Sequence, residues 1–305
     1  MSEKILLTGA SGFVGQQLYN INPTQFRCVI RSANSSDYID TYQVNGVNSK
    51  TNWADAFDGV DSIIHLAGLA HSHTFQNDDY REVNFLGTLR LAQQASIAGV
   101  KRFVFVSSIG VNGSSTFDIP FSNSSNSNPH NAYAQSKLDA EIGLKKIAAE
   151  TNMELVIVRP TLVYGPKAPG NFGFLVRLVS KLPCLPFGLI NNKRDFISVH
   201  NLAELLITCA KHPNAAAHTF LASDGESVSI KDFTNCIAGG VGKNVIQLPI
   251  PVYLMRLCGK LLSKSAMVEQ LVGNLEVDSS NLKQILDWTP PYTMKESMAF
   301  LKQVK

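Results

Sequence analysis

The feature that most constrains this chain lies at its start. Lys4-Ile5-Leu6-Leu7-Thr8 is a short apolar run that reads as a buried parallel strand. It leads straight into Gly9-Ala10-Ser11-Gly12-Phe13-Val14-Gly15 and then into a helical stretch from Gln16 to Tyr19. Glycines at this spacing let the backbone turn sharply, approach a pyrophosphate and pack helix against strand. The helix N-terminus adds free N–H groups and a partial positive charge. Strand, turn and helix in this order predict a dinucleotide site at Gly9, Ser11, Gly12, Phe13, Val14 and Gly15, where a lone glycine triplet would not.

The next strands extend the pattern. Phe26-Arg27-Cys28-Val29-Ile30 is followed by Arg31-Ser32, where an NAD site usually carries Asp or Glu. Arg31 and Ser32 suit a 2′-phosphate, which favours NADP over NAD, although Arg31 could equally stack on adenine or point into water. Thr51-Asn52 are placed to cap a helix from Trp53 to Phe57. Asp61 to His65 is a strand ending in Leu66-Ala67-Gly68, small enough at its tip for backbone to run along a cofactor. His65, His71 and His73 lack a Cys or Glu at ligand spacing, so no metal site is expected, and His65 reads as a packed strand residue. A helical pattern from Asp79 to Ala98 contains Asn84 and stops at Gly99.

Lys101 to Val106 is another buried strand, ending at Ser107-Ser108. Ligands of open α/β sheets bind at the carboxyl ends of strands, which places Ser108 at a substrate oxygen. Tyr133 and Lys137, four residues apart, share one helical face. An ammonium beside the phenol is expected to bring its pKa down from about 10, making it an acid/base. Taken alone the pair is common; the glycine turn and Ser108 give it meaning. Between them, Ser114 to Asn131 is a Ser/Asn-rich loop, expected to be mobile and read first as a surface linker.

Glu154 to Pro160 is the next strand, and Thr161 to Pro166 leads off the sheet into a Pro/Gly-broken segment. Arg194 to Val199 and His218 to Ala222 return as strands around a helix from Asn201 to His212. The expected architecture is α/β, a doubly wound parallel sheet with a smaller C-terminal domain. Residues 1–165, with 196–222 returning, form the dinucleotide-binding domain; 166–195 and 223–305 form the substrate domain.

Composition narrows the partners. A net charge of +3 on 305 residues argues against nucleic acid and suits an anionic small molecule. Five scattered cysteines without a C-x-x-C pair read as reduced thiols, and with no signal peptide and no membrane-spanning run the expected location is the cytoplasm. Leu248 to Lys264 is apolar with Arg256, Lys260 and Lys264 on one helical face. Such a stretch could lie on an anionic membrane or near a lipid-linked substrate, but packing onto its own domain is the commoner outcome.

Thr8 to Gly15, Val106-Ser107-Ser108, Tyr133 to Lys137, Arg159-Pro160, Arg194 to Val199 and Trp288-Thr289-Pro290 together resemble the extended short-chain dehydrogenase/reductase family of nucleotide-sugar enzymes. The resemblance spans nearly the whole chain. It implies a Rossmann domain for NADP or NAD, a UDP-sugar substrate, and often a homodimer. Tyr133 would be the acid/base, Lys137 would lower its pKa and hold the nicotinamide ribose, and Ser108 would polarise C4–O. Pro160 joins the cofactor set with Leu66, Ala67, Gly68 and Asn84, while Asn171 and Arg194 join Ser108 on the substrate, Arg194 at its diphosphate. The 4,6-dehydratases of this family carry Asp-Glu where this chain has Ile109-Gly110, so dehydration is not expected. Ser107 to Gly113 and Leu185 to Gly188 are most similar to a bacterial polysaccharide subfamily of UDP-sugar 4-epimerases and reductases of UDP-4-keto-6-deoxy-N-acetylhexosamines. Arg31-Ser32 inclines the reading to the reductase, with 4-epimerase as the alternative. A non-catalytic cofactor sensor is a further reading that the intact Tyr133/Lys137 pair disfavours.

Overall fold

A computed structural model describes residues 3–31, 37–70 and 74–304 of the chain. Five mainly apolar runs and one short polar one form parallel strands: β1 (Lys4–Thr8), β2 (Phe26–Ile30), the polar β3 (Thr41–Gln43), β4 (Val60–His65), β5 (Arg102–Val106) and β6 (Glu154–Pro160). A seventh, Thr219–Ala222, pairs with β6 at the far edge. Across the sheet the order is Thr219–Ala222, β6, β5, β4, β1, β2, β3. The chain therefore winds outward in one direction from β1 through β2 to β3. It then returns to β4, on the other side of β1, and winds in the opposite direction. That reversal opens a crevice beyond the carboxyl ends of β1 and β4, where open α/β sheets bind ligands.

Alternation along β1 explains the two layers. Ile5 and Leu7 point into one core with Cys28, Ile64, Val104 and the helix Val199–Lys211. Leu6 points into the other with Ile63, Phe103, Phe105, Leu91 and Leu144. Each fully buried Leu or Phe contributes roughly 1.5–3 kcal/mol, so neither face of the sheet can be left open to water. A third core lies outside the sheet and joins Tyr164, Phe172, Phe187, Phe196, Phe233 and Met298. Its centre is a stack of Phe196 on Phe233, with ring centroids 3.8 Å apart.

Several local expectations change in the fold. β6 ends at Pro160, and Leu162–Tyr164 pairs instead with Phe196–Ser198 in a separate parallel ladder. The Trp53 to Phe57 stretch forms turns rather than a helix: the Trp53 N–H donates to Gln94 Oε1 at 2.7 Å, and Asn52 Oδ1 accepts from Ala54 N. The helical run expected from Asp79 begins at Asn77 and includes a π-helical stretch, Arg81–Gly87, before continuing over Thr88–Ile97. Residues 114–131 are stapled rather than loose. Thr116 N donates to Asn274 O, Phe121 N to Glu276 O, and Asp278 N to Phe121 O. Thr116 Oγ1 also accepts from Glu276 N, 160 residues away.

Candidate active site

The glycine turn is shaped by contact as much as by flexibility. Gly9 has φ +74°, and a Cβ there would come 2.9 Å from the Ala67 nitrogen. A Cβ on Gly15 would lie 2.1 Å from the Gly9 carbonyl oxygen, so only glycine lets the helix Phe13–Ile21 approach its own turn. Gly12 opens that helix without any side-chain cap, and Ser11 and Gly12 are exposed. The uncapped N–H groups and the close-packed backbone fit a dinucleotide pyrophosphate.

Thr8 ties the turn to β4. Its Oγ1 accepts from Ala67 N at 3.1 Å and meets His65 Nδ1 at 2.7 Å, while His65 Nε2 meets Thr88 Oγ1 at 2.9 Å. Burial, helped by the Lys137 charge, pushes the His65 pKa down to about 3, so the ring is neutral. His65 is a packed strand residue that aligns Leu66-Ala67-Gly68 with the turn. His71, His73 and Ser32 fall outside the described residues. Arg31 stands exposed just beyond β2.

Asn84 sits in the π-helical stretch, a distortion that recurs at functional sites. Its Oδ1 accepts from Leu69 N at 2.7 Å, and its Nδ2 donates to Leu69 O at 3.0 Å and to Ser136 Oγ at 3.1 Å. Its amide is thus spent on joining the β4 loop to the Tyr133 helix. A Cβ on Gly68 would meet Asn84 Oδ1 at 2.9 Å and Lys137 Nζ at 3.6 Å, which brings that loop beside the lysine.

Asn131 caps the helix Ala132–Glu150 by accepting from Ala134 N at 2.8 Å, which fixes the first turn that carries Tyr133. Ser108 lies just beyond β5; its Oγ accepts from Gly110 N at 3.1 Å and hydrogen-bonds the Tyr133 phenol. The phenol's pKa is not lowered as the sequence suggested. Burial pushes it up to about 12, Tyr80 adds to the rise, and the Ser108 hydrogen bond offsets only part of it. The reason lies in where the ammonium goes. Lys137 Nζ donates to Val106 O at 2.9 Å and sits 4.8 Å over the Phe105 ring, and its own pKa is pushed down to about 8 by burial, against a raising pull from Glu141.

Ser108, Tyr133, Pro160, Asn171 and Arg194 line one cavity of about 500 Å³. Lys137, one helical turn from Tyr133, lies outside the cavity lining, as do the glycine turn and Arg31. Arg194 Nη1 donates to Gly273 O at 2.8 Å, and burial pushes its pKa down to about 10. Its neighbour Asp195 accepts from Ser227 Oγ at 2.6 Å and from Val277 N at 2.6 Å, pinning the far wall.

Sequence reasoning missed one element. Glu141 and Arg159 form a buried ion pair, with Arg159 Nη2 2.5 Å from Glu141 Oε2 and Arg159 Nε 2.9 Å from Oε1. Ser107 Oγ donates to Glu141 at 2.5 Å and Arg159 Nη1 donates to Asn112 Oδ1 at 3.0 Å. The signal was available: Glu141 continues the four-residue spacing of Tyr133 and Lys137 on one helix face.

Comparison with known proteins agrees with this geometry. The model of the NAD dependent epimerase/dehydratase family matches residues 5–222. The chain belongs to that family. Its members work through a nicotinamide dinucleotide, so this protein is an enzyme that takes NAD or NADP. It is 41% identical over 307 residues to a UDP-glucose 4-epimerase of Vibrio cholerae, covering 97% of this chain and 93% of that one. It is 25% identical to the N-acetyl-alpha-D-glucosaminyl-diphospho-ditrans,octacis-undecaprenol 4-epimerase of Escherichia coli O157:H7, covering 98% and 94%. The solved UDP-N-acetylglucosamine 4-epimerase from Bacillus cereus superposes with a TM-score of 0.79 at 18% identity, over 99% of both chains. The fold is thus shared over the whole chain, with the doubly wound sheet between Lys4 and Ala222. Among the described residues, no helix is long and apolar enough to cross a membrane.

Proposed function

We propose that this protein is a UDP-sugar 4-epimerase. The observation that carries the reading is its 41% identity, across 97% of its length, to a protein of that activity, together with one cavity that gathers Ser108, Tyr133 and Arg194. The proposed division puts 1–165, with 196–222, around the cofactor, and 166–195 with 223–305 around the sugar nucleotide. Gly9, Ser11, Gly12, Phe13, Val14 and Gly15 would hold the pyrophosphate, Leu66-Ala67-Gly68 and Pro160 would flank the nicotinamide half, and Lys137 would hold its ribose. When bound, the nicotinamide accepts and returns a hydride at C4.

The chain's own residues handle the proton. Ser108 orients the C4 oxygen and Tyr133 takes its proton, then gives it back to the epimeric alcohol. A phenol held near 12 is in its proton-donating form at neutral pH, which serves the return step; it takes the C4 proton only as the phenolate. Lys137 is one turn away and can supply the charge that steadies a transient phenolate. Arg194 pairs with the diphosphate, and Asn171, in the first turn of the helix Gly170–Lys181, adds a neutral donor.

A second reading, reduction of a UDP-4-keto-6-deoxy-N-acetylhexosamine, is favoured by Arg31. Arg31 stands exposed just past the carboxyl end of β2, where a positive charge suits a 2′-phosphate. An epimerase is redox-neutral over a cycle, whereas a reductase consumes one reduced cofactor per turnover. The deciding experiment releases bound cofactor with acid, identifies it, and incubates the protein with UDP-N-acetylglucosamine without additions. Retained NAD and formation of the galacto epimer are expected. NADPH consumption on the 4-keto sugar, without epimerisation, would replace this reading with the reductase.

A further inference from the structure

We propose that the helices Val252–Leu261 and Ser265–Val272 form a docking surface for an anionic lipid bilayer, set beside the mouth of the cavity. The inference rests on this surface alone and holds for either C4 reaction.

The first helix faces the wrong way for a helix that ends at water. Its inward side is Val252, Met255 and Gly259: Val252 and Met255 pack on the third core, and a Cβ on Gly259 would come 2.6 Å from Val268 of the second helix. Those three positions fall on one helical face. The opposite face holds Tyr253, Leu254, Leu257 and Leu261, which are 68%, 38%, 52% and 76% exposed. Leu262, just beyond the helix, is 70% exposed. A surface helix of a globular domain normally buries its apolar stripe and shows its polar one. The expectation that this stretch packs its apolar face on its own domain is thus met only by the Val252/Met255 side.

Charge identifies the occupant. Residues 243–268 include Lys243, Arg256, Lys260 and Lys264 and no Asp or Glu. Arg256 is engaged by Glu269 at 2.8 Å, and Lys260 and Lys264 have no ion-pair partner among the described residues. Leucines and a tyrosine flanked by lysines match a helix lying at the headgroup level of an anionic bilayer. A second copy seated on the same patch would set Lys260 and Lys264 against like charge, so a lipid surface fits better. The second helix links this face to the site, because its Met267, Gln270 and Leu271 line the cavity. Docking would hold the cavity mouth close to the bilayer.

The test is co-sedimentation of the full chain with sucrose-loaded vesicles of phosphatidylcholine, with or without phosphatidylglycerol. Binding is expected only with phosphatidylglycerol, and should weaken several-fold at high salt. The double variant Leu257→Asp/Leu261→Asp should lose at least tenfold in vesicle binding, with its circular dichroism and its turnover of a soluble UDP-sugar intact. Lys260→Glu/Lys264→Glu should lose several-fold, and serves as the readout if the aspartate variant does not fold. Equal partition to neutral vesicles, no partition at all, or wild-type binding by the charge-reversed variant would overturn the proposal. So would a concentration-dependent dimer that Leu257→Asp/Leu261→Asp dissolves, since the occupant would then be a second copy.

Discussion

Beneath the cavity, Ser107 beside Ser108 and Glu141 one helical turn from Lys137 join Arg159 and Asn112 in a chain of buried hydrogen bonds. Above it, Phe174, Leu175, Met267 and Leu271 present hydrocarbon, and the polar anchors are few. Arg159 and Arg194 condense the contrast. Arg159 spends its guanidinium on a bidentate carboxylate, whereas Arg194, among the described residues, gives its side chain to a backbone carbonyl and keeps its charge for the cavity. Rigid polar construction is placed where a proton moves, and adaptable apolar surface where a ligand must enter and leave.

The largest expected effect tests the floor itself. Tyr133→Phe removes the proton carrier and should lower turnover by about 10²–10⁴-fold while leaving cofactor affinity nearly unchanged. Single-turnover assays with a tritiated C4 position would show it, and turnover within tenfold of wild type would move the acid/base elsewhere. Next comes Arg159→Met, which leaves Glu141 charged and unpaired inside the protein. A loss of about 3–5 kcal/mol in unfolding free energy is expected, read from urea titrations. Arg194→Met should behave differently. It should weaken UDP-sugar binding by about 1.5–3 kcal/mol, as for a charge-assisted hydrogen bond, with a much smaller stability change. Equal stability losses in the two arginine variants would erase the distinction between floor and roof.

A subtler test uses pH. Lys137 falls from an ordinary 10.5 to about 8 in the folded chain, so between those values the unfolded chain binds more protons. Stability should therefore rise with pH from about 8 to 10.5, and Lys137→Met should abolish that rise. Glu141→Gln should shift its onset below 8, because the Glu141 charge is what holds the lysine up. The smallest effect is at the staple: Thr116→Val removes one acceptor and should cost about 0.5–1.5 kcal/mol.

The sheet was readable because a buried parallel strand needs an uninterrupted apolar run and a close helix–strand turn needs glycine, and both are local facts. Ser108, Tyr133 and Arg194 were readable by resemblance, as residues of motifs scattered along the chain. What could not be read was direction in space. Tyr133 and Lys137 share a helix face, yet nothing in their spacing says that Nζ turns to the Val106 carbonyl. The phenol's burial, which sets the sign of its shift, comes from Tyr80 and the cavity wall rather than from its neighbours in sequence. Residues 114–131 look loose because their partners, Asn274 to Asp278, lie some 160 positions on.

Those distant partners have a consequence for the order in which the molecule is made. The last strand of the sheet ends at Ala222, but the far wall of the cavity waits for Met267 to Val277. At ~5–20 residues per second, the roughly fifty residues between them take about 3–10 s to synthesise. Through that interval a nascent chain carries a finished nucleotide-binding sheet beneath an unroofed apolar hollow, with Phe172, Leu175 and Phe196 short of the partners that will cover them. A ribosome stalled there would display a surface that chaperones recognise, although every strand beneath it is already in register.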